Sequence, residues 1–187
     1  MSHILNALLS STRISHDIAM RTLGCLIDEN YHDLAVLHQS TWEQRTEVLT
    51  KGGYVRYREK TATFLGDLAI LVENKYNDDA ANILPRDEAG EGARTTLSAR
   101  LKEIKGLGPM GTEIFLGSIQ HFFENVAPFL DSRSKKTAIA IRFGEDVDTI
   151  FAALQKNTAS MAKLEVALTR IRLEKREGEF TRDIVNS

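Results

Sequence analysis

The chain has 187 residues, 42% hydrophobic and 27% charged with a formal net charge of −2, an ordinary balance for a soluble globular protein with its own core. That charge excludes a protein that coats nucleic acid by charge alone, and the single cysteine, Cys25, excludes an internal disulfide or a cysteine-only metal site. The short apolar run from Ile4 to Leu9 is soon followed by Ser, Arg and Asp, so it reads neither as a membrane span nor as a secretory signal, and an intracellular protein is expected.

In chain order the apolar residues recur at helical spacing. Leu5, Leu8 and Leu9, then Ile14, Ile18, Leu23, Leu26 and Ile27, predict an opening helical pair, with Ser10, Ser11 or Thr12 as the break or cap. A short helix is expected over 31–38, and Thr41 ahead of Trp-Glu-Gln predicts a capped start for the next, ended by Gly52-Gly53. Phe64, Leu65, Leu68, Leu71 and Val72 share one face of the longest helix, which Asn77-Asp78-Asp79 closes. Residues 84–93 have turn formers and charge but no periodic apolar face, predicting a flexible surface connection. A helical hairpin follows, then an extended loop over 125–130 containing Pro128. Helices are predicted over 132–143, 147–154 and 161–173, and a charged, frayed tail over 174–187. No segment alternates as a strand would, so the predicted fold class is all-α.

The hairpin is the most informative stretch: Leu101-Lys-Glu-Ile-Lys-Gly-Leu-Gly-Pro-Met-Gly-Thr-Glu-Ile-Phe115. Glycine at 106 and 108 permits a tight turn and close approach of a partner to the main chain. Pro109 suits a first helical turn, where its missing N–H would be unpaired anyway. The unpaired amides at that helix start, at the positive end of the helix dipole, form an anion site. Charge is distributed to match. Residues 1–93 carry nine Lys/Arg against fourteen Asp/Glu, whereas residues 94–142 carry eight against four. Local basic excess is what phosphate contacts require, whatever the sign of the whole molecule.

The hairpin, followed by Val126-Ala-Pro-Phe-Leu-Asp131-Ser-Arg133, resembles the helix-hairpin-helix DNA glycosylases (HhH-GPD superfamily) that include endonuclease III and the adenine DNA glycosylases. Leu8-Leu9-Ser10-Ser11-Thr12 is similar to that family's early Leu-Leu-Ser segment, near which a side chain enters the DNA. Gly52-Gly53-Tyr54-Val55-Arg56-Tyr57 is similar to its Gly-aromatic turn. The resemblance implies one two-lobed helical unit over 1–187. One lobe, approximately 10–125, would end in the helix-hairpin-helix (about 97–123), and residues 126–187 with the N-terminus would form the second.

The implied activity is base-excision repair: hydrolysis of the N-glycosidic bond of a damaged or mismatched base in double-stranded DNA. Asp131 would be the catalytic carboxylate, stabilising the cation-like sugar or activating water. DNA would be held by Gly106, Leu107, Gly108, Met110 and Gly111, with Lys102, Lys105, Arg133 and Lys135 nearby, and Thr12 is the candidate inserted side chain. Met110 stands where bifunctional members carry the lysine that forms a Schiff base, so a monofunctional enzyme is expected. The terminal four-cysteine motif is absent, so no iron–sulfur cluster is expected, nor any other metal cofactor, although the resemblance leaves room for a monovalent cation in the hairpin. The extension that precedes the Leu-Leu-Ser segment in the family has no counterpart. A monomer is expected, with no membrane partner, in the nucleus or in the cytoplasm and nucleoid according to source.

Blander readings fit the same residues. Asp131 is a favoured N-cap for a helix beginning at Ser132, Thr12 a favoured cap or break, and Lys135-Lys136 an ordinary solvated face. Trp42, Tyr54 and Tyr57 fit core or surface anchors as well as base-stacking platforms. A non-catalytic helix-hairpin-helix protein recognising distorted duplex needs only the hairpin. In a helical protein-interaction domain the glycines would be purely structural.

Overall fold

The computed structural model describes residues 1–181, and these are all-α: helices joined by turns, with no strand among them. The last six residues of the tail expected to fray lie outside the described residues. The helices form two compact units, one of residues 1–85 and 95–115, the other of 86–94 and 116 onward.

The first unit opens with α1 (Ser2–Ser10) and α2 (His16–Asp28), the expected pair; Ser11 and Thr12 fall in the break between them, and the cap of α2 is Ser15. Ser15 sits in the extended conformation and its side chain accepts from the Ile18 amide, which a residue directly before the helix does best. Helix α3 (Leu34–Gln39) starts later than position 31, because Asp33 takes the Ala35 and Val36 amides and fixes the start there. Thr41 and Gln44 form a reciprocal capping box at the head of α4 (Trp42–Lys51). The long α5 (Arg58–Tyr76) ends at Asn77, whose left-handed φ of 51° stops the helix. A 3₁₀ turn over Ala80–Ile83 follows, with no periodicity in the sequence to announce it. The unit buries Leu5, Leu9, Leu26, Leu37, Leu49, Leu65, Leu68, Leu97 and Leu101 together with Tyr54.

Helix α6 (Gly90–Leu101) begins inside the segment expected to be a connection, and α7 (Pro109–Ile119) is the second arm of the hairpin. Both pass from one unit to the other along their length. The N-terminal residues belong to the unit that holds the hairpin turn, not with residues 126–187.

The second unit continues through a 3₁₀ turn (Glu124–Val126) and a cis Ala127–Pro128 bond into α8 (Ser132–Ala140), α9 (Val147–Ala153), α10 (Thr158–Leu173) and α11 (Glu177–Thr181). Its core gathers Leu130, Ala138, Ile141, Ile150, Met161 and Leu168. The chain leading to α8 is held by polar staples. Arg94 donates to the Val126 and Pro128 carbonyls at 3.2 Å each, and Asn125 donates to the Glu88 carbonyl at 2.7 Å. Gln120, wholly buried, donates to the Phe129 carbonyl and accepts from the Phe129 amide, both at 3.0 Å. One amide side chain thus satisfies a loop residue as a neighbouring strand would.

Gln120→Leu leaves both main-chain groups of the half-buried Phe129 without their partner and is expected to cost about 1–3 kcal/mol. Urea unfolding would show a lower midpoint with an unchanged slope.

Candidate functional site

The turn between α6 and α7 belongs to the first unit. Leu101 and Ile104 bury the end of the first arm, and the Leu107 amide donates to the Ile104 carbonyl to close the turn. Gly106 has φ +87°, where only glycine rests without strain, and a Cβ there would strike the Phe64 ring. Leu107 is buried, so its side chain anchors the loop. Gly111 lets α7 pass close to Leu107 and Ser11: a Cβ there would lie 2.6 Å from Leu107 Cδ1 and 3.2 Å from Ser11 Cβ. Gly108 differs from these, because a Cβ there meets nothing within 4 Å. Gly108, Pro109 and Met110 are exposed at the head of α7, where the first-turn amides have no partner within the helix.

Three segments far apart in the sequence converge on this turn. Thr12, Arg13, Tyr57, Lys60, Phe64 and Gly106 line one depression of about 440 Å³. Thr12 closes α1: its hydroxyl lies 2.7 Å from the Tyr54 hydroxyl and 3.1 Å from the Leu9 carbonyl. The Lys60 ammonium sits 5.4 Å from the Phe64 ring centroid, and the Arg56 guanidinium 5.2 Å from that of Tyr57. Lys105 pairs with Asp67 at 3.1 Å, and Lys102 is exposed on the same turn. Arg13 and Lys60 were not singled out in the sequence, and Phe64 was read only as part of an apolar helix face, because each stands outside the short motifs that mark the hairpin.

Asp131 belongs to the second unit and is 2% exposed. It is the N-cap of α8. Its Oδ1 accepts from the Arg133 amide at 2.9 Å and from the Ser134 amide at 2.6 Å, while Oδ2 accepts from Arg133 Nη2 at 3.0 Å. Burial pushes this carboxyl up, but the Ser134 amide and the Arg133 charge outweigh it and hold Asp131 below the usual carboxylate range. Arg133 is therefore engaged with Asp131, and Lys135 is exposed one position beyond Ser134.

A second carboxyl stands against the first. Glu165 on α10 is 7% exposed; its Oε2 accepts from the Asp131 amide at 3.3 Å, and its Oε1 lies 3.0 Å from Ser134 Oγ. Burial, then the Asp131 charge, raise Glu165 to about 7. Gly117 makes room for its stem, since a Cβ there would lie 2.9 Å from Glu165 Cγ. The sequence does carry a signal for Glu165. It falls on the stripe of Met161 and Leu168, where a charged residue interrupts an otherwise apolar face.

Among the described residues no cluster of three or more His, Cys, Asp or Glu is arranged to hold a metal ion, and no helix is long and apolar enough to cross a membrane. Gly106→Ala is expected to cost about 1–3 kcal/mol through the positive φ, whereas Gly108→Ala should change stability far less, a contrast that thermal melting of the two variants reads directly. Asp131→Ala removes a cap and a partly buried ion pair and should cost about 1–3 kcal/mol at neutral pH. Because the folded-state Asp131 is depressed, its contribution is present above the ordinary Asp range and lost as pH falls through its folded value. The cost of Asp131→Ala should therefore shrink on acidification, as paired melts in acid would record.

Compared with family models, curated proteins and solved structures, the chain matches none.

Proposed function

We propose that this chain binds double-stranded DNA through the 106–111 hairpin and hydrolyses the N-glycosidic bond of a damaged or mismatched base, with Asp131 as the catalytic carboxylate. The observation that carries the reading is the convergence of Thr12, Tyr57 and Gly106 on one depression bearing Arg13, Lys60 and Phe64. Three short likenesses, independent in the sequence, then describe one surface with cations, aromatic rings and an amide-rich helix start. Phosphate oxygens suit the amides of Gly108, Met110 and Gly111, and Gly108 leaves space for a backbone to come close.

In the proposed reaction the C1′–N bond breaks, its electron pair leaves with the base, and the sugar passes through a cation-like state. An ionised Asp131 stabilises that charge, and a water then adds to C1′, its proton passing through solvent to the departed base, so that the products are the free neutral base and an abasic sugar. The depressed pKa of Asp131 keeps it charged for that role. Met110 has no amine to form a Schiff base, so the product is an abasic site with the strand intact.

A second reading, a non-catalytic binder of distorted duplex, is favoured by one observation: both Asp131 oxygens already have donors and the residue is 2% exposed. The two readings separate in one experiment. Purified protein and its Asp131→Asn form are incubated with duplexes carrying uracil, hypoxanthine, alkylated or oxidised bases, or mismatches, and abasic sites are revealed with hot alkali. Asparagine still caps a helix, so the variant keeps its fold while losing the charge. Alkali-dependent cleavage by the wild type alone supports excision, whereas silence with intact duplex binding supports the binder. Gly108→Phe should weaken duplex affinity at least tenfold in either case, and equal affinity would count against both.

A further inference from the structure

The corner around Asp131 contains more than a cap and its arginine. Glu165 reaches across from α10 to the first residues of α8, contacting the main chain of Asp131 and the side chain of Ser134. The Ser134 hydroxyl lies a further 3.4 Å from Thr169 Oγ1 on the same helix as Glu165. The charged groups facing Glu165 from α8 are Asp131 and Arg133. Gly117, the α7 residue against its stem, brings none.

We propose that Glu165 is a positioning residue for Asp131: through the Asp131 amide and the Ser134 hydroxyl it fixes the chain at the start of α8 and so aims the Asp131 carboxylate, without touching DNA itself. This rests on the reading of Asp131 as catalytic. Two ionised carboxylates in one buried corner would repel, and only Asp131 has a cationic partner. Glu165 is accordingly the member that holds the proton. As the neutral acid it donates from Oε1 to Ser134 Oγ, Ser134 turns its own hydroxyl toward Thr169, and Oε2 remains an acceptor for the Asp131 amide. The Glu165 carboxyl, the Ser134 hydroxyl and the Asp131 amide then each have a partner.

The stability consequence has a definite sign. Glu165 binds its proton more tightly in the folded chain than in the unfolded one, so its contribution is full below the ordinary Glu range. It falls as pH rises through that range toward about 7, and levels off above it. Glutamine reproduces the neutral acid, with an amide donor for Ser134 and a carbonyl acceptor for Asp131, and does not titrate. Leucine fills the space but leaves the Asp131 amide without its acceptor.

Wild type, Glu165→Gln, Glu165→Leu, Asp131→Asn and the Glu165→Gln/Asp131→Asn double variant would be melted between pH 4.5 and 8.5, and duplex affinity and single-turnover excision measured on folded protein. The wild-type melting temperature should decline from pH 5 to 7, the decline should vanish in Glu165→Gln, and Asp131→Asn should make it shallower. Glu165→Leu should lower the single-turnover rate at least tenfold while duplex affinity stays within twofold, and Glu165→Gln should recover most of that rate. An undiminished pH slope in Glu165→Gln, additive effects in the double variant, or a Glu165→Leu rate equal to wild type would each overturn the proposal. If the wild type excises nothing, the reading of Asp131 as catalytic fails by itself, and the melting series still decides whether Glu165 and Asp131 are coupled.

Discussion

A carboxylate that is 2% exposed has lost almost all of its water, and the second unit is organised around replacing it. Asp131 finds the missing donors in the first amides of the helix it begins and in Arg133 two residues on. The arrangement works only if the preceding loop delivers Asp131 to the head of α8 in the right register. That explains the density of staples before it: Arg94 on the Val126 and Pro128 carbonyls, Asn125 on the Glu88 carbonyl, Gln120 on the amide and carbonyl of Phe129. Each is a polar side chain doing what regular secondary structure does elsewhere, and together they make an irregular loop as determined as a strand.

The starts of α7 and α8 are opposites. Helix α8 spends its first amides on its own Asp131, so its N-terminus is satisfied from within. Helix α7 begins Gly-Pro, with no side-chain oxygen at the position before Pro109, and its head is exposed. An anion from outside therefore has a natural place at α7 and none at α8. Rigidity reaches the α7 turn through Gly106 against Phe64 and Gly111 against Leu107, which leaves Gly108 as the glycine with open space before it.

Helix existence was legible because apolar spacing survives in sequence, and so was the capping box at Thr41 and Gln44, since its partners are three residues apart. Boundaries were less so. Asp33 and Ser15 fixed starts that periodicity alone could not choose between. The early start of α6 was hidden by Gly90 and Gly92, residues that read as turn formers. The hairpin and Asp131 could be named from local pattern, but their surroundings could not. Phe64, Lys60 and Arg13 reach the turn, and Gln120 and Glu165 reach the loop and Asp131, across contacts of tertiary range that no short motif encodes. Glu165 came nearest to being visible, as a charge on an apolar stripe.

The two units interleave along the chain. Residues 86–94 belong to the second unit yet are separated from its remainder by twenty-one residues of the first; of the three exchanges, the one at 85–86 falls in a turn and the other two fall within helices α6 and α7. No single cut releases either unit, because the chain leaves the first unit, returns to it and leaves it again. During synthesis the first unit lacks its closing segment until residue 115 has emerged, by which point the opening residues of the second are already made and await their partners. Shuffling or circular permutation of this chain must therefore respect the two exchanges inside α6 and α7, where a cut would break a helix.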